Sequence, residues 1–306
     1  MPIISSILPE NIRPHGSDEV KVIECGNVIE LQYSQHHSIG AQIVKLDKNY
    51  YLDLRTGEVK EFVHNERRVD DTKSLKVTFE HARRIINANI VDTSRCRFIT
   101  LTYAENMQDT KKLYYDFKNF WKRKIIPLYP GAEYINAIEP QRRGAWHIHM
   151  LLIFPDVAPF IPNAQLAEMW GHGFVSVRAL DNVDNVGAYL TGYLANIPLD
   201  EYDSKLSIRE DDIKCVDVLD DNGVLVPKKV VKGARLPLYP SGMQPFRYSK
   251  GIIKPEPYYT TADRAEQLVR ECALCRETTR QIIDTESDFT NTINYRQYNR
   301  KRKETL

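Results

Sequence analysis

The order of periodic segments in the middle of the chain limits the possible folds more than any other pattern in the sequence. Arg97–Tyr103 alternates apolar and polar residues as a strand does, and Thr110–Ile126 places large apolar residues at helical spacing. Two more strand patterns follow, Glu133–Glu139 and Trp146–Phe154, with a short connection between them. The segment therefore begins as strand, helix, strand, strand.

A second helix and a fourth strand complete this series. Asn163–Trp170 is predicted to be a helix that stops at Gly171 and Gly173, and Phe174–Ala179 has the pattern of a strand. A further helix is predicted over Val183–Asn196. Strand, helix, strand, strand, helix, strand is the ferredoxin-like order. We therefore predict an α+β fold with an antiparallel sheet of four to five strands and helices on one face.

Three regions follow from this interpretation. Residues 1–94 form an N-terminal accessory region, 95–200 the core, and 201–306 a C-terminal accessory region with a basic tail. Helices are also predicted around Thr78–Asn89 and from about Thr261 to Asp284.

Composition limits the class of protein. A hydrophobic content of 42% in 306 residues is enough for a sizeable core without disulfides. No stretch approaches the roughly 18 apolar residues that a membrane span needs, and no secretory signal order is present. The 5 cysteines are scattered, which favours reduced thiols. We expect a soluble, cytoplasmic protein that does not engage a membrane.

Charge predicts where nucleic acid would have to bind. The formal net charge is only +1, so any contact with DNA must come from local basic patches. One patch is the helix from Lys111 to Lys124, which includes Lys118 and Lys122. The other is the tail, with Arg296, Arg300, Lys301, Arg302 and Lys303. Alone, each pattern is more typical of a solvated face than of a binding site.

Two histidines are candidate metal ligands. His147 and His149 lie two residues apart in a predicted strand, so their side chains point to the same face. Glu139 ends the preceding strand and would fold back beside them, although sequence does not fix the register. By itself the histidine pair is more typical of packed or surface histidines than of a metal site. With the carboxylate, the set leaves coordination positions open, which favours Mg²⁺ or Mn²⁺ over a structural zinc.

Two tyrosines are candidate nucleophiles. Tyr189 and Tyr193 lie four residues apart, one turn of the predicted helix, and so share a face. Aromatic residues at this spacing usually pack a helix onto a sheet. A tyrosine hydroxyl can also attack a phosphodiester when a metal polarises it. Both interpretations remain open on these residues alone.

These motifs together resemble those of a known family. RFITLTY at residues 97–103, WHIHMLLIF at 146–154 and YLTGYLA at 189–195 resemble, in order, the three motifs of the HUH endonucleases, specifically the rolling-circle replication initiators of plasmids and phages. The resemblance covers about residues 95–197. It implies that His147, His149 and Glu139 hold the metal. It also implies that Tyr189 or Tyr193 attacks the DNA and stays linked to its 5′ phosphate.

The third motif departs from the family pattern. Gly192 and Asn196 stand where family members commonly carry lysine or arginine. This departure leaves open which tyrosine is primary, and we favour Tyr189. A conjugative relaxase or transposase of the same superfamily is disfavoured because relaxases place their tyrosine before the histidines. A non-catalytic DNA-binding relic of the fold is the other alternative.

The resemblance also implies partners. The substrate would be single-stranded or locally melted origin DNA in a bacterial host, nicked at initiation and rejoined at the end of replication. Lys118, Lys122, Arg142 and Arg143 are the candidate DNA contacts. The chain has no GxxxxGK[ST] motif, so we expect a host helicase to separate the strands and a host polymerase to extend the free 3′ end.

Overall fold

A computed structural model describes residues 3–36, 43–54, 56–62, 72–141, 144–180, 183, 185–200, 202, 212–219, 225–240, 243–285 and 289–302. The strands, in chain order, are β1 (Ile3–Ile7), β2 (Glu19–Cys25), β3 (Val28–Ser34), β4 (Ile43–Lys45), β5 (Tyr50–Asp53), β6 (Val59–Glu61), β7 (Cys96–Thr102), β8 (Glu133–Pro140), β9 (Trp146–Ile153), β10 (Val175–Arg178), β11 (Ile197–Pro198), β12 (Ile213–Leu219), β13 (Leu225–Val231), β14 (Phe246–Tyr248), β15 (Tyr258–Thr261), β16 (Ala273–Asp284) and β17 (Phe289–Asn299).

The helices, in chain order, are α1 (Thr72–Asn89), α2 (Thr110–Phe120), α3 (Ile126–Leu128), α4 (Asn163–Trp170), α5 (Val186–Ala195) and α6 (Ala262–Val269). A π-helical turn, Trp121–Ile125, joins α2 to α3. Short 3₁₀ turns lie at Thr93–Arg95 and Leu236–Leu238. The α+β class predicted from the sequence is confirmed.

The chain divides into two compact units. The first comprises Met1–Glu24, Val28–Glu66 and Glu256–Leu306, and the second comprises Cys25–Asn27 and Arg67–Pro255. The regions 1–94, 95–200 and 201–306 describe the order along the chain, and their boundaries stay a prediction. In space, strands from the first and last of these regions share one sheet.

A five-stranded antiparallel sheet forms the centre of the second unit, in the order β10-β7-β9-β8-β14. The predicted succession of strands and helices from β7 to β10 is observed. α4 ends where Gly171 adopts a left-handed backbone with φ of 68°, which glycine tolerates without strain. The fifth strand, β14, comes from the segment after residue 240.

Helices cover both faces of this sheet, so the prediction of helices on one face is wrong. α2 and α4 bury Leu113, Phe117 and Trp170 on one face, whereas α1 and α5 bury apolar side chains on the other. The second face is apolar too, with Phe98, Ile135, Ala137 and Leu151 among its buried residues. A sheet face of this kind needs its own covering layer, which helices from outside the strand-helix series supply.

The first unit contains a six-stranded sheet in the order β1-β16-β17-β3-β2-β15, with α6 packed on buried residues of β2 and β3. The predicted helix from Thr261 to Asp284 is correct only as far as Val269. Ala273–Asp284 is a strand instead, paired with β17 along its length. Local propensity was overridden there because pairing with distant residues decides strand formation.

The predicted basic tail begins within a strand, and its first two arginines form ion pairs. Arg296 lies in β17 and is fully buried, with its guanidinium paired to Glu266. Arg300 pairs with Glu24. Arg302 is the last described residue, and Lys303 lies outside the described residues.

Two small sheets complete the described part, in the orders β4-β5-β6 and β11-β13-β12. All five cysteines are free. None of the helices in the described part is long and apolar enough to cross a membrane.

Candidate metal centre and tyrosine helix

The two histidines project from one face of β9. Their neighbours Trp146, Ile148 and Met150 belong to the core under α2 and α4, so His147 and His149 point to the opposite face, toward α5. β9 lies between β7 and β8 in the sheet, which places both imidazoles near its middle.

Glu139 joins the histidines on this face. In the antiparallel register it lies directly opposite His147, and Ala137 lies opposite His149. Glu139 Oε2 is hydrogen-bonded to Nε2 of His149. One ligand atom from each of Glu139, His147 and His149 lies within 4.8 Å of the others. The structure therefore brings together the three residues that the sequence singled out as candidate metal ligands.

Polar neighbours orient both imidazoles. Thr100, opposite His149 on β7, has its hydroxyl 3.2 Å from Nδ1 of His149. The side-chain amide of Gln141 lies 3.4 Å from Nδ1 of His147. Contacts to the second ring nitrogen fix the orientation of metal-binding histidines. Thr100 belongs to the predicted strand Arg97–Tyr103 and Gln141 follows Glu139 by two residues, so inspection of these neighbours could have found both.

Arg235 supports Glu139 and was missed by the sequence analysis. It is 5% exposed, and its Nη1 lies 2.5 Å from Oε1 of Glu139. The same nitrogen donates to the carbonyl of Pro140, and Nε donates to the carbonyl of Asn196. No local motif marks an arginine 96 positions after its carboxylate partner, since only the fold brings the two together.

The ionisation of Glu139 reflects opposing effects. Burial raises the pKa of Glu139, but His149, Arg235 and His147 lower it by more, so its pKa lies below the ordinary value. A carboxylate that stays charged in a buried site is suited to a cation.

Tyr189 lies in α5 beside the cluster. It is 7% exposed, and its ring meets that of Phe98 edge to face at 5.8 Å. Phe98 in turn stacks on His149, with ring centroids 5.6 Å apart. Tyr193 lies one turn later in α5, and its side chain is outside the described part of the chain. The packing interpretation of Tyr189 therefore holds, while its ring also borders the histidine face.

An open cleft of about 390 Å³ connects these groups. Its lining includes His147, His149, Tyr189, Gln141 and Arg178. Arg178, at the end of β10, contributes a positively charged side chain to this lining. The sequence analysis did not predict it. A phosphate entering this cleft would meet both the imidazoles and the guanidinium.

Two of the candidate DNA contacts, Lys118 and Lys122, do not line this cleft. Lys118 in α2 and Lys122 in the following π turn line a different cleft, on the other face of the sheet. Arg142 and Arg143 lie outside the described residues.

Comparison with known families agrees with these motifs. Residues 96–197 match the model of the replication-associated protein ORF2/G2P family. The matched segment is about a third of the chain and contains Glu139, both histidines and both tyrosines. This match supports a replication initiator of the Rep type, and with it DNA as the partner. No curated protein and no solved structure is significantly similar to the chain.

Proposed function

We propose that the chain is an HUH endonuclease with a ferredoxin-like core, which nicks one strand at a replication origin and rejoins strands when replication ends. The observation that carries the proposal is the meeting of Glu139, His147 and His149 on one sheet face, in a cleft that Tyr189 also lines.

The three side chains fit a divalent cation. Ligand atoms around such an ion lie about 2.0–2.6 Å from it, so they are separated by up to about 5 Å, and those of Glu139, His147 and His149 are within 4.8 Å of one another. Two imidazoles and one carboxylate leave room for phosphate oxygens, which suits Mg²⁺ or Mn²⁺. When bound, such an ion would polarise the scissile phosphate.

Residues of the chain itself would carry out the phosphoryl transfer. The hydroxyl of Tyr189 or Tyr193 gives up its proton as its oxygen attacks phosphorus, the bond from phosphorus to the 3′ oxygen breaks, and that oxygen takes up a proton. The 5′ phosphate stays on the tyrosine, and the free 3′ hydroxyl can prime synthesis by a host polymerase. Attack by a DNA 3′ hydroxyl on the phosphotyrosine reverses the step. Arg178 supplies positive charge to this cleft, where the third motif lacks the family's basic residues.

The substrate in this proposal is single-stranded or locally melted DNA. A tyrosine held by α5 over a sheet reaches a phosphate most readily on a flexible strand. Strand separation would then fall to a host helicase. If the purified protein unwound duplex DNA with ATP, this part of the proposal would be wrong.

Covalent adduct formation tests the proposal. Purified protein is incubated with labelled, origin-bearing single-stranded DNA and Mn²⁺, and the adduct is followed for wild type, Tyr189→Phe, Tyr193→Phe and His149→Ala. We expect loss of adduct in His149→Ala and in one of the tyrosine variants. Tyr50→Phe, at an exposed position of the first unit, is the matched control and should form adduct normally. No adduct from wild type would favour the non-catalytic DNA-binding alternative.

A further inference from the structure

A second cleft of about 390 Å³ lies on the other face of the five-stranded sheet. β8 forms its floor with Asn136 and Ile138, which alternate with the residues that face α5. α2 and the π turn Trp121–Ile125 form its wall. Arg247 of β14 lies directly opposite Asn136 in the sheet, so its side chain enters the same cleft.

Two buried polar atoms in this cleft have no hydrogen-bond partner within the part of the chain that the structure describes. One is Oδ1 of Asn136, a residue that is 1% exposed, and the other is Nε of Arg247. The guanidinium of Arg247 is held over the ring of Tyr114, with Cζ 3.5 Å from the ring centroid. Leaving a buried acceptor and a buried donor unpaired is unfavourable, so the pair points to a ligand that bonds to both.

Aromatic and basic side chains surround this pair. The rings of Trp121 and Tyr134 meet at 4.6 Å, and Tyr115 at the rim is 63% exposed. Lys118 and Lys122 are exposed on the same rim, and none of the lining residues is acidic. The π-helical turn presents Trp121, and such turns are frequent at functional sites.

We propose that this cleft binds a nucleobase of single-stranded DNA, with the adjoining phosphates at Lys118 and Lys122. The edge of every base presents a donor beside an acceptor, the complement of Oδ1 of Asn136 and Nε of Arg247. The aromatic wall offers a stacking surface, which is how single strands are usually held. Because the cleft is on the opposite face from Glu139, His147 and His149, the proposal does not depend on metal binding there.

Binding of a labelled short oligonucleotide, followed by fluorescence anisotropy in the presence of EDTA, tests the assignment. We expect Trp121→Leu and Asn136→Leu to weaken binding roughly tenfold. Lys118→Ala should also weaken binding. Lys48→Ala is the charge-matched control, since Lys48 is exposed in the first unit and does not line the cleft, and its affinity should equal that of wild type. Thermal unfolding of each variant checks that it is folded, and Lys118→Ala, at an exposed position, keeps the test valid if Asn136→Leu does not fold.

Competition distinguishes a DNA strand from a free nucleotide. An oligonucleotide should compete far better than a deoxynucleoside monophosphate, since only the strand reaches both the cleft and its basic rim. Equal competition by the monophosphate would overturn the assignment to a DNA strand. Wild-type affinity in both Trp121→Leu and Lys118→Ala would overturn the cleft as a DNA site altogether.

Discussion

Arg235 ties the candidate metal centre to the tyrosine helix. Its guanidinium contacts the Glu139 carboxylate at one end of β8 and the Asn196 carbonyl at the end of α5. Four residues later, the Tyr239 hydroxyl lies 2.9 Å from the carbonyl of Ile138 and 3.1 Å from that of Leu194, which belong to the same two elements. This segment therefore sets the position of α5, and with it the tyrosines, relative to the carboxylate.

Removing the Arg235 charge should destabilise the second unit strongly. Arg235→Met leaves the buried Glu139 carboxylate without its guanidinium partner, and breaking such a pair costs about 3–5 kcal/mol. Lys228→Met is the matched control: it breaks the ion pair with Asp200, in which both side chains are substantially exposed, and should cost at most about 1 kcal/mol. Urea denaturation measures both free energies of unfolding. Equal effects would contradict the structural role of Arg235.

Metal binding should stabilise the folded protein through the same cluster. A ligand that binds only the native state adds about 2.7 kcal/mol to the free energy of unfolding when its concentration is one hundred times its dissociation constant. We expect Mn²⁺ to raise the Tm of wild type in a saturable manner, and His147→Ala and Glu139→Gln to abolish this rise. His15→Ala, at an exposed position of the first unit, should respond as wild type does. An undiminished rise in His147→Ala would argue against these ligands.

At the scale of elements, the crossing of α1 and α5 positions Tyr189. Asn87 of α1 accepts a hydrogen bond from the Gly187 amide and donates one to Asn185, which caps α5. A Cβ on Gly187 would lie 2.5 Å from the carbonyl oxygen of Arg83, so glycine allows the two helices to meet closely. By contrast, a Cβ on Gly192 would meet nothing within 4 Å.

Alanine at these two glycines should have opposite effects. Gly187→Ala forces the helices apart and should cost about 1–3 kcal/mol. Gly192→Ala adds helix propensity in open space and should stabilise by up to about 1 kcal/mol. Urea denaturation measures the free energy of unfolding of both variants, and the comparison is direct because both glycines lie in α5. A neutral or stabilising Gly187→Ala would mean that the α1–α5 crossing tolerates a wider separation than the contacts indicate, and a destabilising Gly192→Ala would mean that its surroundings are not open.

At the scale of the molecule, both ends of the chain build the first unit. β1 pairs with β16, and the Ile12 amide donates to the Thr279 hydroxyl. Arg13 forms two hydrogen bonds with Glu277, and these lower the pKa of the largely buried Glu277 carboxyl below its ordinary value of 4.5. The ion pair thus joins the N-terminal segment to a C-terminal strand.

Acid should weaken the ion pair between Arg13 and Glu277. Because the folded pKa of Glu277 is lowered, its stabilising contribution is complete above about pH 4.5 and is lost as the pH falls toward the folded value. Glu277→Gln should be less stable than wild type at neutral pH and lose less stability on acidification. Glu10→Gln, at an exposed position, serves as the control. Urea denaturation across a pH series measures the free energy of unfolding of each variant. Parallel curves of this free energy against pH for wild type and Glu277→Gln would contradict the proposed contribution of Glu277.

Features that depend on local periodicity could be predicted from the amino-acid sequence. Because side chains alternate along a strand, the spacing of His147 and His149 placed them on one face, and the short hairpin brought Glu139 close to them. The order of strands and helices from β7 to β10 followed from the same patterns. Tyr189 and Tyr193 likewise lie one turn apart in α5, as the helical pattern of this segment predicted.

Features that depend on contacts between distant residues could not be predicted in this way and are seen in the folded structure alone. The register that sets Glu139 against His147, and the guanidinium of Arg235 that meets its carboxylate, arise from packing between segments far apart in sequence. Ala273–Asp284 became a strand because β17 and β1 pair with it, and α1 and α5 cover a sheet face because that face is apolar. Such choices are made by the free energy of long-range burial and pairing, which no local window of sequence contains.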